Sequence, residues 1–152
     1  MYSALDHAHS GLRWVALLLL IIAGFKALAG WLGNKPYQPL DRKLATFTVI
    51  SVHLQLVIGL ILYFVSPTVS EALNDFGAAM KVPALRFFAL EHLLGMVVAI
   101  AFVTIGSASA KRATADVTKH KRVAIWFLLA LVLIIAMIPW PFRAEGIARG
   151  WF

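Results

Sequence analysis

Four of the five histidines in this 152-residue chain sit in or beside long apolar stretches, and the chain has no cysteine. His53 and His92 fall well inside two such stretches, while His9 and His120 lie at the mouths of two others. An ionisable side chain is expensive to keep in hydrocarbon, so each is a candidate for function. Imidazole is the commonest metal ligand, and helical bundles hold haem iron between histidines on facing helices. Absence of cysteine excludes disulfides, thiolate zinc sites, iron–sulfur clusters and a thioether-linked c-type haem. The chemistry indicated is a non-covalent b-type haem (heme b), with His9, His53, His92 and His120 as candidate iron ligands. A dinuclear metal site fits less well, because the spans offer one carboxylate, Glu91, where a di-iron bundle uses several.

Neighbouring residues bear on the same question. At 100° per residue His92 shares its face with Gly95, Met96, Ala99 and Gly106, and His9 shares one with Ala16, Ala23, Gly24, Ala27 and Gly30. Such faces make room for a flat ligand, but they also allow helices to pack closely with nothing between them, which is the better reading for the glycines alone. Two pairings of the histidines stay open. One haem near mid-membrane would use His53 and His92; two haems would use His9 with His92 at one level and His53 with His120 at another. Arg13, one turn below His9, is a candidate for a haem propionate or for pairing with Glu91. Glu91 suits a salt bridge between helices, Lys26 can snorkel to an interface, and Gln55, on the far side of its helix from His53, suits a hydrogen bond to a neighbouring helix. His7 reads as a solvated loop residue.

The elements that must position these residues follow from apolar run length. A helix crossing ~30 Å of hydrocarbon needs roughly 20 apolar residues, and four runs qualify, at about 12–32, 44–65, 85–108 and 123–140. Gly33, Asn34 and Pro36 close the first, Ser66 and Pro67 the second, and Pro139 and Pro141 the fourth. Trp14, Trp31, Trp126 and Trp140 lie near span ends, as an aromatic belt requires. Between spans two and three, Val69, Leu73, Phe76 and Met80 recur at helical spacing, predicting an amphipathic surface helix over 69–81. The expectation is an all-α, integral membrane four-helix bundle in a single domain, with no internal repeat.

Composition agrees: 61% of residues are hydrophobic and 14% charged, and the mean hydropathy of +0.84 excludes a water-soluble globule. The net charge of +7 would suggest nucleic acid in a soluble protein. Here the cations flank apolar runs, so they report topology, and no nucleic-acid partner is expected. Lys35, Arg42, Lys43, Lys111, Arg112, Lys119, Lys121 and Arg122 fall on one side, against Arg13, Lys81, Arg86, Arg143 and Arg149 on the other. The positive-inside rule then puts both termini outside. Asp6, and the lack of Lys or Arg before Arg13, argue against a cleavable signal peptide.

The motifs His9-Ser10-Gly11-Leu12-Arg13-Trp14, His53-Leu54-Gln55-Leu56 with Gly59, Glu91-His92-Leu93-Leu94-Gly95 and Lys119-His120-Lys121 together resemble the small four-helix bacterial membrane proteins of the cytochrome b-like family. The likeness covers nearly the whole chain, including Pro139-Trp140-Pro141-Phe142 and the terminal Arg149-Gly150-Trp151-Phe152. More loosely, the His53 and His92 segments are similar to the haem-binding helices of haem A synthase halves, although this chain has half the helices of that enzyme and no cysteine pair. The resemblance implies a bacterial inner-membrane b-type cytochrome, an electron carrier or redox subunit more than a stand-alone enzyme, exchanging electrons with a quinone or a redox protein. A rival expectation is a haem-free accessory or assembly subunit of a larger membrane complex. A small transporter ranks last, since no span is broken midway.

Overall fold

The computed structural model describes residues 2–143, so Arg149 and the terminal motif lie outside the described residues. Helix α1 (Tyr2–Leu32) leads through a short connector to α2 (Pro39–Val65). Three short helices follow, α3 (Pro67–Asn74), α4 (Phe76–Ala79) and α5 (Pro83–Arg86). A π-helical turn, Phe87–Glu91, joins α5 directly to α6 (His92–Lys111), and α7 (Asp116–Met137) completes the described chain. Four helical stretches are long and apolar enough to cross a membrane: α1, α2, α5 through α6, and α7. No strand occurs among the described residues, and the chain is an all-α helical bundle.

Element ends follow local chemistry. Pro39 stands in the first turn of α2, where its missing N–H costs nothing, and the Asp41 carboxylate accepts from the Gln38 N–H at 2.7 Å. Ser66 is extended because Pro67 follows it, and its hydroxyl caps α3 by accepting from the Val69 N–H. Pro139 likewise holds Ile138 extended, so α7 ends at Met137 and not at Trp140 as apolar run length suggests.

Two further departures bear on function. The first span is expected to begin near residue 12, yet the helix begins at Tyr2, because Asp6, His7 and Ser10 lower hydropathy without breaking a helix. His9 is therefore aimed by helix geometry and is not a loop residue. The surface helix predicted over 69–81 is instead α3 and α4, broken at Asp75 (φ −139°, ψ 81°), whose side chain accepts from the Ala78 N–H at 3.0 Å to start α4. Val69, Ala72 and Ala79 turn inward, while Leu73 and Phe76 stay exposed.

The core is small and closely fitted, with Leu20, Ala99, Val103, Ala124, Phe127 and Ala130 fully buried. A Cβ added at Gly95 would come within 2.5 Å of Met137, and one at Gly106 within 2.7 Å of Trp126. A Cβ at Gly24 would stand 3.1 Å from Leu128. The small-residue faces of α1 and α6 thus let both helices close onto α7, which is their packing role. Helices α2 and α6 form the loosest side of the bundle. Lys26 does not simply snorkel: it makes an ion pair with the buried Asp41, tying α1 to the first turn of α2.

Candidate functional site

At the end of the bundle that carries the start of α1, a cavity of about 330 Å³ opens between α1, α2, α6 and α7. His9 and Arg13 enter its wall from α1, one turn apart, and His92 enters from the first position of α6. The His9 and His92 imidazoles meet edge-on, with ring centres 6.5 Å apart and planes inclined at 67°. Of the two pairings left open by the sequence, only the His9–His92 pair brings two histidine rings together among the described contacts.

Both imidazoles are held. Nδ1 of His92 lies 2.7 Å from the Met137 carbonyl, exposed by the end of α7, and donation there fixes the tautomer that carries its lone pair on Nε2. The ring is flanked by Phe87 at 5.6 Å and Phe88 at 6.5 Å. His9 stands over Gly59 of α2, where a Cβ would lie 3.1 Å from its Cε1. Gln55, one turn from Gly59, donates from Nε2 to the His9 carbonyl at 2.7 Å. Its Oε1 is buried with no hydrogen-bond partner, a polar atom without a match in the cavity wall.

A π turn delivers His92. The His92 N–H bonds to the Phe87 carbonyl five residues back, and the Ala89 carbonyl inside the turn accepts from the Tyr63 hydroxyl at 2.9 Å. One π turn shifts every residue before it around the helix axis relative to those after it, a device common beside functional sites. It also brings Arg86 Nε to 2.6 Å from Glu91 Oε1. Glu91 is thus paired within its own segment and not with Arg13, whose guanidinium lies 5.2 Å from the Trp14 ring centre.

The remaining sequence candidates stand elsewhere. His53 lies outside the cavity: Nδ1 bonds the Val49 carbonyl at 2.8 Å, one turn back, and Nε2 is 3.4 Å from Thr104 Oγ1 on α6. His120 is 1% exposed at the opposite end of the bundle. Its Nε2 is 3.4 Å from the Pro36 carbonyl, its ring meets Tyr37 edge-on at 4.9 Å, and it lies against Gly30 so closely that no side chain there would fit. His7 is on α1 at the cavity rim, exposed, and not in a loop. Among the described residues no cluster of three or more metal-ligating side chains occurs.

Gln55, Gly59 and Tyr63 are the site residues that sequence reasoning passed over. Val52, Gln55, Leu56, Gly59 and Tyr63 form a stripe at helical spacing along α2, and all line the cavity. A polar residue in an apolar span, with a glycine one turn on, is the signal that marked it.

The donor set is one on which a haem would draw: two imidazoles in one cavity, one of them oriented by a carbonyl, apolar side chains between the helices, and Arg13 in the wall together with Asp6. No protein-family model, no curated protein and no solved structure matches this chain.

Proposed function

We propose that this protein is a membrane b-type cytochrome that binds a single haem between His9 and His92 and carries electrons within or across the bilayer. The observation that carries the reading is the pair of imidazoles from α1 and α6 brought to 6.5 Å of each other in a largely apolar cavity. Bound there, the haem would supply a one-electron ferric–ferrous couple. The protein's own contribution is to hold His92 through Met137, to seat His9 over Gly59, and to supply Arg13 in the cavity wall as the cation that would pair with a propionate. A single haem is favoured over two because His53 and His120 are engaged by Val49, Thr104, Pro36 and Tyr37. The accessory-subunit reading needs small-residue faces free to pack on another protein; Ala16, Ala23, Gly24, Ala27 and Gly30 are buried inside this chain.

The cation count supports an orientation in a bacterial inner membrane with the His9–His92 end of the bundle and both termini on the periplasmic side. A quinone or a redox protein, or a larger complex to which the chain belongs, supplies and removes electrons. The deciding experiment is a dithionite-reduced minus oxidised visible spectrum, with pyridine haemochrome quantification, on protein purified in mild detergent from haem-supplemented cells. A sharp reduced α-band with one haem b per chain is expected. A folded, colourless protein that takes up no added haem overturns the reading.

A further inference from the structure

The opposite end of the bundle carries a second, larger hollow of about 770 Å³, between the α1–α2 connector, the start of α2, the end of α6 and the start of α7. Arg42, Lys43, Lys111 and Lys119 line it, and no carboxylate does. Lys119 is neutralised by Asp116 at 2.8 Å, but Arg42, Lys43 and Lys111 are exposed and take part in none of the ion pairs among the described residues. Asp41, the nearest acid on α2, is buried and held by Lys26. Three uncompensated cations therefore share one concavity.

The hollow is amphiphilic along its depth. Its cations stand at the helix ends, while Ala45 and Ala110 form a buried floor and Phe47, 57% exposed, forms a lip. From Pro39 at the mouth to Phe47 is about 12 Å along α2, enough to pass from headgroup level into hydrocarbon. Thr46 and Ser107 add hydroxyls to the wall. Tyr37 adds a phenol that stays neutral, because burial and the Asp41 charge push its pKa up to about 12. Beyond the lip runs the loosely closed α2–α6 side of the bundle.

We propose that this hollow is a binding site for one anionic phospholipid, its phosphodiester among Arg42, Lys43 and Lys111 and an acyl chain along the α2–α6 side. A soluble phosphate would use the cations and leave the apolar lip and floor unused; a zwitterionic lipid would bring its own ammonium to a place that already holds three cations. Basic pockets between membrane helices select anionic headgroups for the same reason.

The test is native mass spectrometry of protein purified in nonionic detergent. It is titrated with phosphatidylglycerol and, separately, with phosphatidylcholine bearing the same acyl chains. One phosphatidylglycerol should be retained per chain at least tenfold more tightly than phosphatidylcholine. The double variant Lys43→Gln with Lys111→Gln should lose about 10- to 30-fold in that affinity. Lys35→Gln with Lys121→Gln removes the same charge from the same end outside the hollow, and should change it less than about twofold. Equal affinity for the two lipids, equal loss in both double variants, or displacement by glycerol 3-phosphate at matching concentration would each overturn the proposal. The wild-type comparison of the two lipids decides independently of how either variant folds.

Discussion

His53 and Gln55 stand two residues apart on α2, a rotation of about 200°, so one helix cannot turn both into the same cavity. The structure gives the cavity to Gln55 and the α6 contact to His53. A histidine in an apolar span is the louder signal in a sequence, but which face of the helix meets the other helices is not written there. The consequence is testable by single substitutions. His9→Ala and His92→Ala should each reduce bound haem to a small fraction of wild type, measured by haemochrome per chain. His53→Ala should leave the imidazole pair in place and retain full haem, because His53 lies outside the cavity. Retention of haem in both His9→Ala and His92→Ala would remove this pair from consideration. Gly30 offers a stability test at the same scale: Gly30→Ala forces the His120 ring out of its seat and should cost about 1–3 kcal/mol, read as a lower unfolding temperature in detergent.

Among the elements, the π turn and the Asp41 cap decide most. Phe87–Glu91 sits where apolar periodicity alone predicts uninterrupted α-helix, and hydropathy has no means of distinguishing five-residue from four-residue hydrogen bonding. Tyr63 stabilises the turn from α2, so Tyr63→Phe should cost about 1 kcal/mol and broaden the haem spectrum if His92 loses its orientation. Asp41 joins two tasks, capping α2 and pairing with Lys26, and it is buried. Asp41→Asn keeps its size and an oxygen that can accept from Gln38 but removes the charge; a loss of about 1–2 kcal/mol is expected by thermal unfolding, most of it from the stranded Lys26. The break at Asp75 was in principle legible, since Asn74 and Asp75 are capping residues, but the apolar period of Val69, Leu73, Phe76 and Met80 runs straight across it.

At the scale of the molecule, four helices long and apolar enough to cross a membrane return the chain to the end of the bundle where it began. The proposed orientation puts that side in the periplasm. Alkaline phosphatase fused after residue 143 should then be active, and a fusion in the connector after Leu32 inactive; the reverse pattern would invert the topology and leave the haem pair facing the cytoplasm. The two hollows sit at opposite ends of the bundle, one holding histidines and the other cations. Haem loss in His92→Ala is therefore expected to leave phosphatidylglycerol binding unchanged, and the Lys43→Gln, Lys111→Gln double variant to leave the reduced spectrum unchanged, because the sites share no lining residue.

The sequence by itself determined the number of long apolar helices, their approximate extent, the class of fold and the set of histidines from which a site could be drawn. All of these depend on composition and run length, which the bilayer reads one segment at a time. Partnership was decided only by tertiary structure: His9 with His92, His53 with Thr104, His120 with Gly30 and Tyr37, Lys26 with Asp41. Each of these depends on how far one helix is rotated and shifted against another. That is set by Gly24, Gly95 and Gly106 closing onto α7 and by a single π turn, features whose effect appears only when the helices are packed together.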